Sequence, residues 1–142
     1  MVYHDFSYLT VHWKEEVPCV LMEWKVFARD ADFRAGLDAG LKLLESKGAD
    51  KWLADLRKLG TVTNLDQEWA NANWFPRALA SGIKFMAIVI PESALSRFNV
   101  DSIMGKVEGT DLVTQNFDSV DKAVEWLKDQ KLIRRRAGAF PS

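Results

Sequence analysis

The stretch that decides the fold spans residues 51–80 and reads KWLADLRKLGTVTNLDQEWANANWFPRALA. It opens with a short apolar run, residues 52–56, which is typical of a strand with most of its surface covered. Gly60 ends this run, and the polar residues 61–64 predict a turn. Apolar residues then recur at helical spacing, from Leu65 through Trp69 to Leu79, so the stretch predicts a strand, a loop and an amphipathic helix.

The start and the middle of this helix carry specific signals. Asn64 lies three residues before Gln67, and the two predict a capping pair at the helix N-terminus. Asp66 in the first turn suits the positive end of the helix dipole. Pro76 removes an amide donor, so we expect it to kink the helix or to divide it at Phe75.

The loop between the strand and the helix is the candidate site, because ligands of open α/β sheets lie beyond the carboxyl ends of parallel strands. Trp74 falls off the apolar stripe, beside Arg77, and is the candidate exposed aromatic residue of a partner or ligand surface. In the alternative interpretation, the acidic and basic residues form an exposed ion pair and the threonines only shape the turn. The residues expected to cluster at the loop are Asp55, Arg57, Thr61, Thr63, Asp66 and Gln67.

Upstream of this stretch, the sequence predicts a hairpin and a helix. Residues 6–13 and 19–27 alternate between apolar and polar side chains, which indicates two antiparallel strands. A helix is predicted over residues 30–47, with Asp30 as its N-cap and Gly48 as its C-cap. Gly36 and Gly40 lie beside the apolar stripe of this helix, where small residues allow close approach to the sheet.

Downstream, the most apolar segment is KFMAIVIP, residues 84–91, which predicts a central parallel strand. Residues 111–117 predict an edge strand, and a last helix begins at Asp118 or Ser119. Short helical segments are expected at residues 92–98 and 102–107.

These elements predict an α/β fold with about five strands and four helices, in a mostly parallel sheet whose first strand is antiparallel. A single domain is expected over residues 1–130, with a basic, flexible tail over residues 131–142. If the helices lie mainly on one face of the sheet, the other face is more open, and a homodimer could bury part of it. The side chains expected on that open face are Tyr8, His12, Glu23 and Lys25.

Composition excludes several classes of protein. The 142-residue chain has a net charge of −1, which gives no general attraction to nucleic acids or membranes. Cys19 is the only cysteine, so no disulfide forms within the chain, as is typical of a reducing compartment. The N-terminus lacks the apolar core of a signal peptide, and no apolar run reaches the roughly 20 residues of a membrane span. We therefore expect a cytoplasmic protein.

The chemistry of known catalytic motifs is absent from the sequence. It contains no glycine-rich phosphate loop, GxSxG, CxxC or HExxH motif. His4 and His12 do not form a metal-binding pattern, and Cys19 lies in a strand rather than at a helix N-terminus, where thiols become reactive. We expect no enzyme, no metal and no cofactor. The alternative is an enzyme that uses Asp55 with Arg57 or Thr61 in a closed cleft.

Five segments carry a resemblance to a known group: WLADLRKLG, DQEWANANWFPRA, KFMAIVIP, IMGKVEGT and FDSVDKAVEWL. Together with the order of elements, they resemble the SpoIIAA-like fold of STAS domains and anti-sigma-factor antagonists. They are most similar to bacterial proteins often described as STAS-like, a group without an established activity. The resemblance covers residues 6–130.

The resemblance implies a non-enzymatic regulatory or protein-binding module, with a protein partner or a second copy as its target. The antagonists carry a phosphorylated serine after an aspartate at the start of a helix. Asp66 matches that aspartate, but Gln67 stands in place of the serine and cannot accept a phosphoryl group. The alternative is a carrier or sensor of a small apolar, lipid-like ligand, since some SpoIIAA-like domains have been compared with CRAL-TRIO lipid-transfer domains and the chain is rich in Trp, Met and Phe.

Overall fold

The computed structural model of the protein describes residues 2–60, 62–91 and 112–139. Its described strands form one six-stranded sheet, in which they follow each other in chain order. Strand β2 is antiparallel to both of its neighbours, and every other neighbouring pair is parallel, so β2 alone runs against the rest. The strands are β1 (Val2–Asp5), β2 (Leu9–Lys14), β3 (Cys19–Trp24), β4 (Lys51–Asp55), β5 (Phe85–Val89) and β6 (Val113–Phe117).

This sheet confirms the predicted α/β fold and its antiparallel early strand, with one strand more than expected. The additional strand is β1, whose four residues are all exposed and therefore show no burial pattern. Its backbone pairs with β2, and its last residue, Asp5, accepts hydrogen bonds from Lys25 Nζ at 2.6 Å and Thr10 Oγ1 at 3.2 Å.

The helices cover both faces of the sheet. Helix α1 (Asp30–Lys47) and the segment formed by α2 (Asn64–Trp69), a π-helical turn (Ala70–Trp74) and α3 (Phe75–Ala80) pack on one face. Helix α4 (Val120–Ala139) packs on the other face and continues through most of the segment predicted as a tail. The helical segments predicted at residues 92–98 and 102–107 lie outside the described residues.

The larger core lies between the sheet and α1 to α3, and tryptophans fill much of it. Trp24, Trp52 and Trp74 are almost fully buried there, and the rings of Trp52 and Trp74 meet edge to face with their centroids 4.9 Å apart. Tyr8 packs on this side as well, with its ring stacked against Trp24. Its predicted place on the open face was therefore wrong, because it lies before β2 begins and does not follow the alternation of that strand.

The smaller core lies under α4. Ala123 and Leu127 of this helix pack with Leu53, Ala87 and Val89 from the centre of the sheet. The second face of the sheet is thus covered at β4 and β5, and the open face expected there is smaller than predicted.

Two glycines of α1 bring this helix close to the sheet, as predicted. A Cβ atom on Gly36 would lie 2.7 Å from Leu9 Cδ2, and one on Gly40 would lie 2.5 Å from both Met22 Sδ and Trp52 Cη2. Such distances are too short for a methyl group, so glycine is needed at both positions for α1 to sit at this depth.

Candidate functional site

Two neighbouring loops form the candidate site at the carboxyl ends of β3 and β4. Residues 25–29 follow β3, and residues 56–63 follow β4. The ends of these two parallel strands lie side by side, since Glu23 pairs with Asp55. The loops lie side by side, since a Cβ on Gly60 would be 3.9 Å from Phe27 Cδ1. We call the surface formed by residues 25–29, 56–60 and 62–65 the carboxyl-edge surface.

Asp55 and Arg57 are paired at this edge. The Asp55 carboxylate is buried at the end of β4 and accepts hydrogen bonds from Arg57 Nε at 2.9 Å, Nη2 at 2.8 Å and the backbone N at 3.2 Å. The hydrogen bonds to Asp55 raise the pKa of the Arg57 guanidinium. Because both carboxylate oxygens accept from one cation, the pair stabilises the loop, which favours an ion pair over a catalytic role. The interpretation of an exposed ion pair was wrong in one respect, since the Asp55 side chain is buried.

Asp66 is fully buried and joins the two helices that follow the loops. Its Oδ2 accepts from the backbone N of Asp30 at 2.8 Å, and its Oδ1 lies 3.4 Å from Arg34 Nε. Asp30 is the first residue of α1 and has a φ of 55°, in the left-handed region that non-glycine residues seldom adopt. Asp66 therefore fixes the start of α1, and its carboxylate is not available at the surface.

The cap of α2 lies one residue earlier than predicted. Thr63 is the N-cap, and its Oγ1 accepts from the backbone N of Asp66 at 3.2 Å. Gln67 Nε2 donates to the carbonyl of Val62 at 2.9 Å instead of reaching a capping partner at Asn64. Thr61 lies outside the described residues. Thr63 and Gln67, two of the predicted site residues, thus use their side chains in hydrogen bonds to the backbone of the loop and of the first turn of α2.

Trp74 was predicted as an exposed aromatic residue, and this prediction was wrong. The side chain is buried in the larger core, where its Nε1 donates to the carbonyl of Leu37 at 3.0 Å. The cause is the π-helical turn, which ends at Trp74, just before the division that Pro76 predicts at Phe75. The residues that the helix buries are Asp66, Ala70, Trp74 and Ala78.

This spacing of four residues explains the error. An α-helix has 3.6 residues per turn, so a repeated step of four drifts away from one face, whereas the wider π turn brings the next residue back onto it. The buried face is consequently shifted from the predicted stripe, and Leu65 is exposed where the stripe placed it inside.

Arg77 lies away from the carboxyl-edge surface. Its Nη2 donates to Asp38 Oδ1 at 2.8 Å, in the middle of α1. Its guanidinium also lies 5.9 Å from the ring centroid of Trp69, which Arg34 approaches at 5.3 Å. Arg77 borders a surface groove of about 360 Å³ between α1 and α3 whose lining carries both acidic and basic side chains, among them Lys42 and Glu45.

Three apolar side chains at the carboxyl-edge surface were missed by sequence reasoning. Val26 and Phe27 are 52% and 51% exposed, and Leu65 is 67% exposed. The alternating pattern extended the strand to residue 27, but β3 ends at Trp24, so both side chains lie in the loop. A pair of basic residues, Lys25 and Arg29, flanks them in the sequence and is the one signal that could have marked this segment as exposed.

The histidine and cysteine side chains considered for metal and thiol chemistry, His4, His12 and Cys19, lie in the described parts of the chain. No group of histidine, cysteine, aspartate and glutamate side chains there is arranged to hold a metal ion. His12 Nε2 lies 2.9 Å from Glu23 Oε1. Burial raises the pKa of the Cys19 thiol to about 12, so the thiolate that would react is not formed near neutral pH. Among the described helices, none is both long and apolar enough to cross a membrane.

Comparison with solved structures supports the expected fold. The crystal structure of an anti-sigma factor antagonist from Mycobacterium paratuberculosis matches with a TM-score of 0.51. The match has 13% sequence identity and covers 85% of this chain and 93% of that chain. No protein-family model and no curated protein sequence matches the chain. The likeness confirms the fold of the anti-sigma factor antagonists that the sequence resemblance implied.

Proposed function

We propose that the protein is a non-enzymatic protein-binding module and that the carboxyl-edge surface is its docking surface. The observation that carries the proposal is the exposure of Val26 and Phe27, in the loop after β3, and of Leu65, in the first turn of α2, each by more than half. Adjacent exposed apolar side chains are typical of surfaces that bind a partner. An aromatic residue such as Phe27 is well suited as an anchor, since a few apolar anchors supply most of the affinity of an interface.

The states of the carboxylates support the non-enzymatic part of the proposal. Asp55 accepts from Arg57, and Asp66 accepts from the Asp30 amide and Arg34. A carboxylate held in this way is poorly placed to take a proton from a substrate.

The shared fold also supports a protein partner, because the matching structure is of an anti-sigma factor antagonist, a protein named for its action on another protein. Gln67 occupies the position at which the resemblance implies a phosphorylated serine, and its amide bonds to the Val62 carbonyl. We therefore propose that association is not switched by phosphorylation at this position.

The alternative function, a carrier of a small apolar ligand, depended on the abundance of aromatic residues. Trp24, Trp52 and Trp74 are packed against other side chains in the larger core. A ligand bound among these tryptophans would have to displace the side chains that they already contact. Their packing therefore does not favour a carrier function.

Site-specific photo-crosslinking tests the proposed function. The crosslinking residue p-benzoylphenylalanine is incorporated in place of Phe27 in the full chain, within cells that produce the protein naturally. The matched control carries it in place of Val113, which is 44% exposed at the amino end of β6. We expect a discrete crosslinked protein at position 27 and none of that mass at position 113.

The mass of the product distinguishes a different protein from a second copy, since a homodimer gives twice the mass of this chain. If position 27 yields no protein adduct, or the same adducts as position 113, the carboxyl-edge surface is not a docking surface.

A further inference from the structure

The two loops of the carboxyl-edge surface contain basic residues and no acidic ones. Residues 25–29 read KVFAR and residues 56–63 read LRKLGTVT, which together hold four basic residues, Lys25, Arg29, Arg57 and Lys58. The whole chain is almost balanced, with 19 basic and 20 acidic residues. The sequence of these loops is therefore more basic than that of the chain as a whole, a property shared with residues 131–142.

Two of the four cations are already engaged within the protein. Arg57 is held by Asp55, and Lys25 Nζ donates to Asp5 Oδ1 and to the carbonyl of Phe6. The Arg29 side chain is 64% exposed and forms a surface ion pair with the equally exposed Asp30 side chain, with Nε 3.7 Å from Oδ2. Such an exposed ion pair contributes little and leaves the guanidinium accessible to a partner. Lys58 is exposed in the facing loop. Arg29 and Lys58 are thus the cations that can meet a partner.

We infer that the partner docks through an acidic segment that also carries apolar side chains. This inference rests on the proposed function, because it names the chemistry of the partner at the same surface. The apolar side chains of the segment cover Val26, Phe27 and Leu65, while its carboxylates meet Arg29 and Lys58 at the rim. In such an interface the apolar contacts supply the affinity and the rim charges supply selectivity and speed of association.

The surroundings of the surface favour a protein over a membrane or a nucleic acid. Exposed acidic residues border the loops on the helices that follow them: Asp30 and Asp32 in α1 and Glu68 in α2. A continuous layer of phosphate groups would lie against these carboxylates as well as the cations, at a cost from like-charge repulsion. A peptide segment can place single carboxylates opposite Arg29 and Lys58 and leave the acidic border uncovered.

A selection from a displayed peptide library tests the inference. The library consists of helical peptides with random surface positions and is selected against the full-length protein. We expect the selected peptides to be enriched in aspartate and glutamate beside leucine or phenylalanine. Their affinity should fall about tenfold in a double variant, Arg29→Glu with Lys58→Glu, and should weaken as salt is added.

Two variants at other surfaces serve as matched controls. Lys42→Glu reverses an exposed charge in the middle of α1, and Val113→Ser removes an exposed apolar side chain from β6. Both should leave the affinity of the selected peptides unchanged, whereas Phe27→Ser should abolish binding. Because all of these side chains are exposed, each variant should keep the thermal unfolding midpoint of the parent chain, which is checked first.

The outcomes separate this inference from the proposed function. Peptides that depend on Phe27 but show no acidic enrichment overturn the inference and leave the docking surface in place. Peptides that bind the Phe27→Ser variant as well as the parent overturn both. An absence of selected peptides, or a stronger retention of the protein on phosphatidylserine vesicles than on neutral ones, also overturns the inference.

Discussion

Asp66 has a structural role in the interior of the protein, although the sequence predicted it among the residues of a binding loop. It holds the amide of Asp30, whose backbone has a left-handed φ, and it pairs with Arg34. In Asp66→Asn, one carboxylate oxygen becomes an NH₂ donor that faces donors, so a buried hydrogen bond is lost. We expect the free energy of unfolding to fall by about 1–3 kcal/mol, measured by urea denaturation.

The matched control is Asp129→Asn, the same exchange at an exposed position of α4. We expect it to change the free energy of unfolding by no more than about 0.5 kcal/mol. Equal losses in the two variants would show that the buried contacts of Asp66 do not stabilise the start of α1.

Cys19 offers a second test, through its pKa. Burial raises the pKa of this thiol from its ordinary value of 9.0 to about 12. The folded protein therefore binds a proton that the unfolded chain releases. This contribution to stability is complete below pH 9 and is lost as the pH rises from 9 towards 12. Compared with Cys19→Ala, the wild-type protein should lose stability over that range, as measured by denaturation at several pH values.

The same burial predicts that a thiol reagent does not label Cys19 in the native protein. Ellman's reagent at about pH 8 should report no free thiol until denaturant is added, and then one thiol for each chain. Rapid labelling without denaturant would mean that the smaller core opens often enough to expose this residue.

Which of these residue roles could be read from the sequence depends on the range of their contacts. The pairing of Asp55 with Arg57 involves residues two apart, so it was among the predicted alternatives. The contact between Asp30 and Asp66 joins residues 36 positions apart, and no local pattern encodes it. Val26 and Phe27 were misplaced because periodicity cannot show where a strand stops when apolar residues follow it.

The depth at which α1 packs depends on Gly40. At an exposed helix position alanine stabilises relative to glycine by about 1 kcal/mol. At Gly40, however, the added methyl would lie 2.5 Å from Met22 Sδ and Trp52 Cη2. We expect Gly40→Ala to lower the free energy of unfolding by about 1–3 kcal/mol, because the cost of overpacking exceeds the gain in helix propensity.

An exposed position on the same helix provides the comparison. Ala35→Gly should cost about 1 kcal/mol through propensity alone, so that alanine is the better residue at 35 and the worse one at 40. If Gly40→Ala stabilises the protein, α1 does not sit as close to β3 and β4 as the structure shows.

The segment from α2 to α3 shows what helical periodicity cannot predict. Pro76 predicted a kink or a division at Phe75, but the backbone stays helical through Trp74 and Phe75, and only the type of helix changes there. The π-helical turn leaves no mark in the sequence, and it moves the buried face onto Asp66 and Trp74. A pattern based on 3.6 residues per turn therefore predicted Leu65 as buried and Trp74 as exposed, the reverse of what the structure shows.

Most of the sheet was predictable from the chain, since apolar runs and alternation mark β2 to β6. The first strand was not, because it forms through backbone pairing at the edge and buries none of its side chains. The second layer of helix was also hard to foresee. The pattern of α4 shows an apolar face but does not say which side of the sheet that face covers.

The role of α4 gives a test of the whole molecule. Within the described side chains, those of α4 that pack in the smaller core all lie before residue 130. Ala123 and Leu127 among them are fully buried. We expect a chain of residues 1–130 to fold with a free energy of unfolding close to that of the full chain.

A chain of residues 1–118 should fail to fold as a monomer, because it leaves Leu53, Ala87 and Val89 uncovered on a central part of the sheet. Circular dichroism measures whether each shortened chain folds. The reactivity of Cys19 provides an independent measurement, since Cys19 belongs to the smaller core. If residues 1–130 unfold readily while the full chain is stable, the segment beyond residue 130 belongs to the domain and the proposed division into domain and tail is wrong.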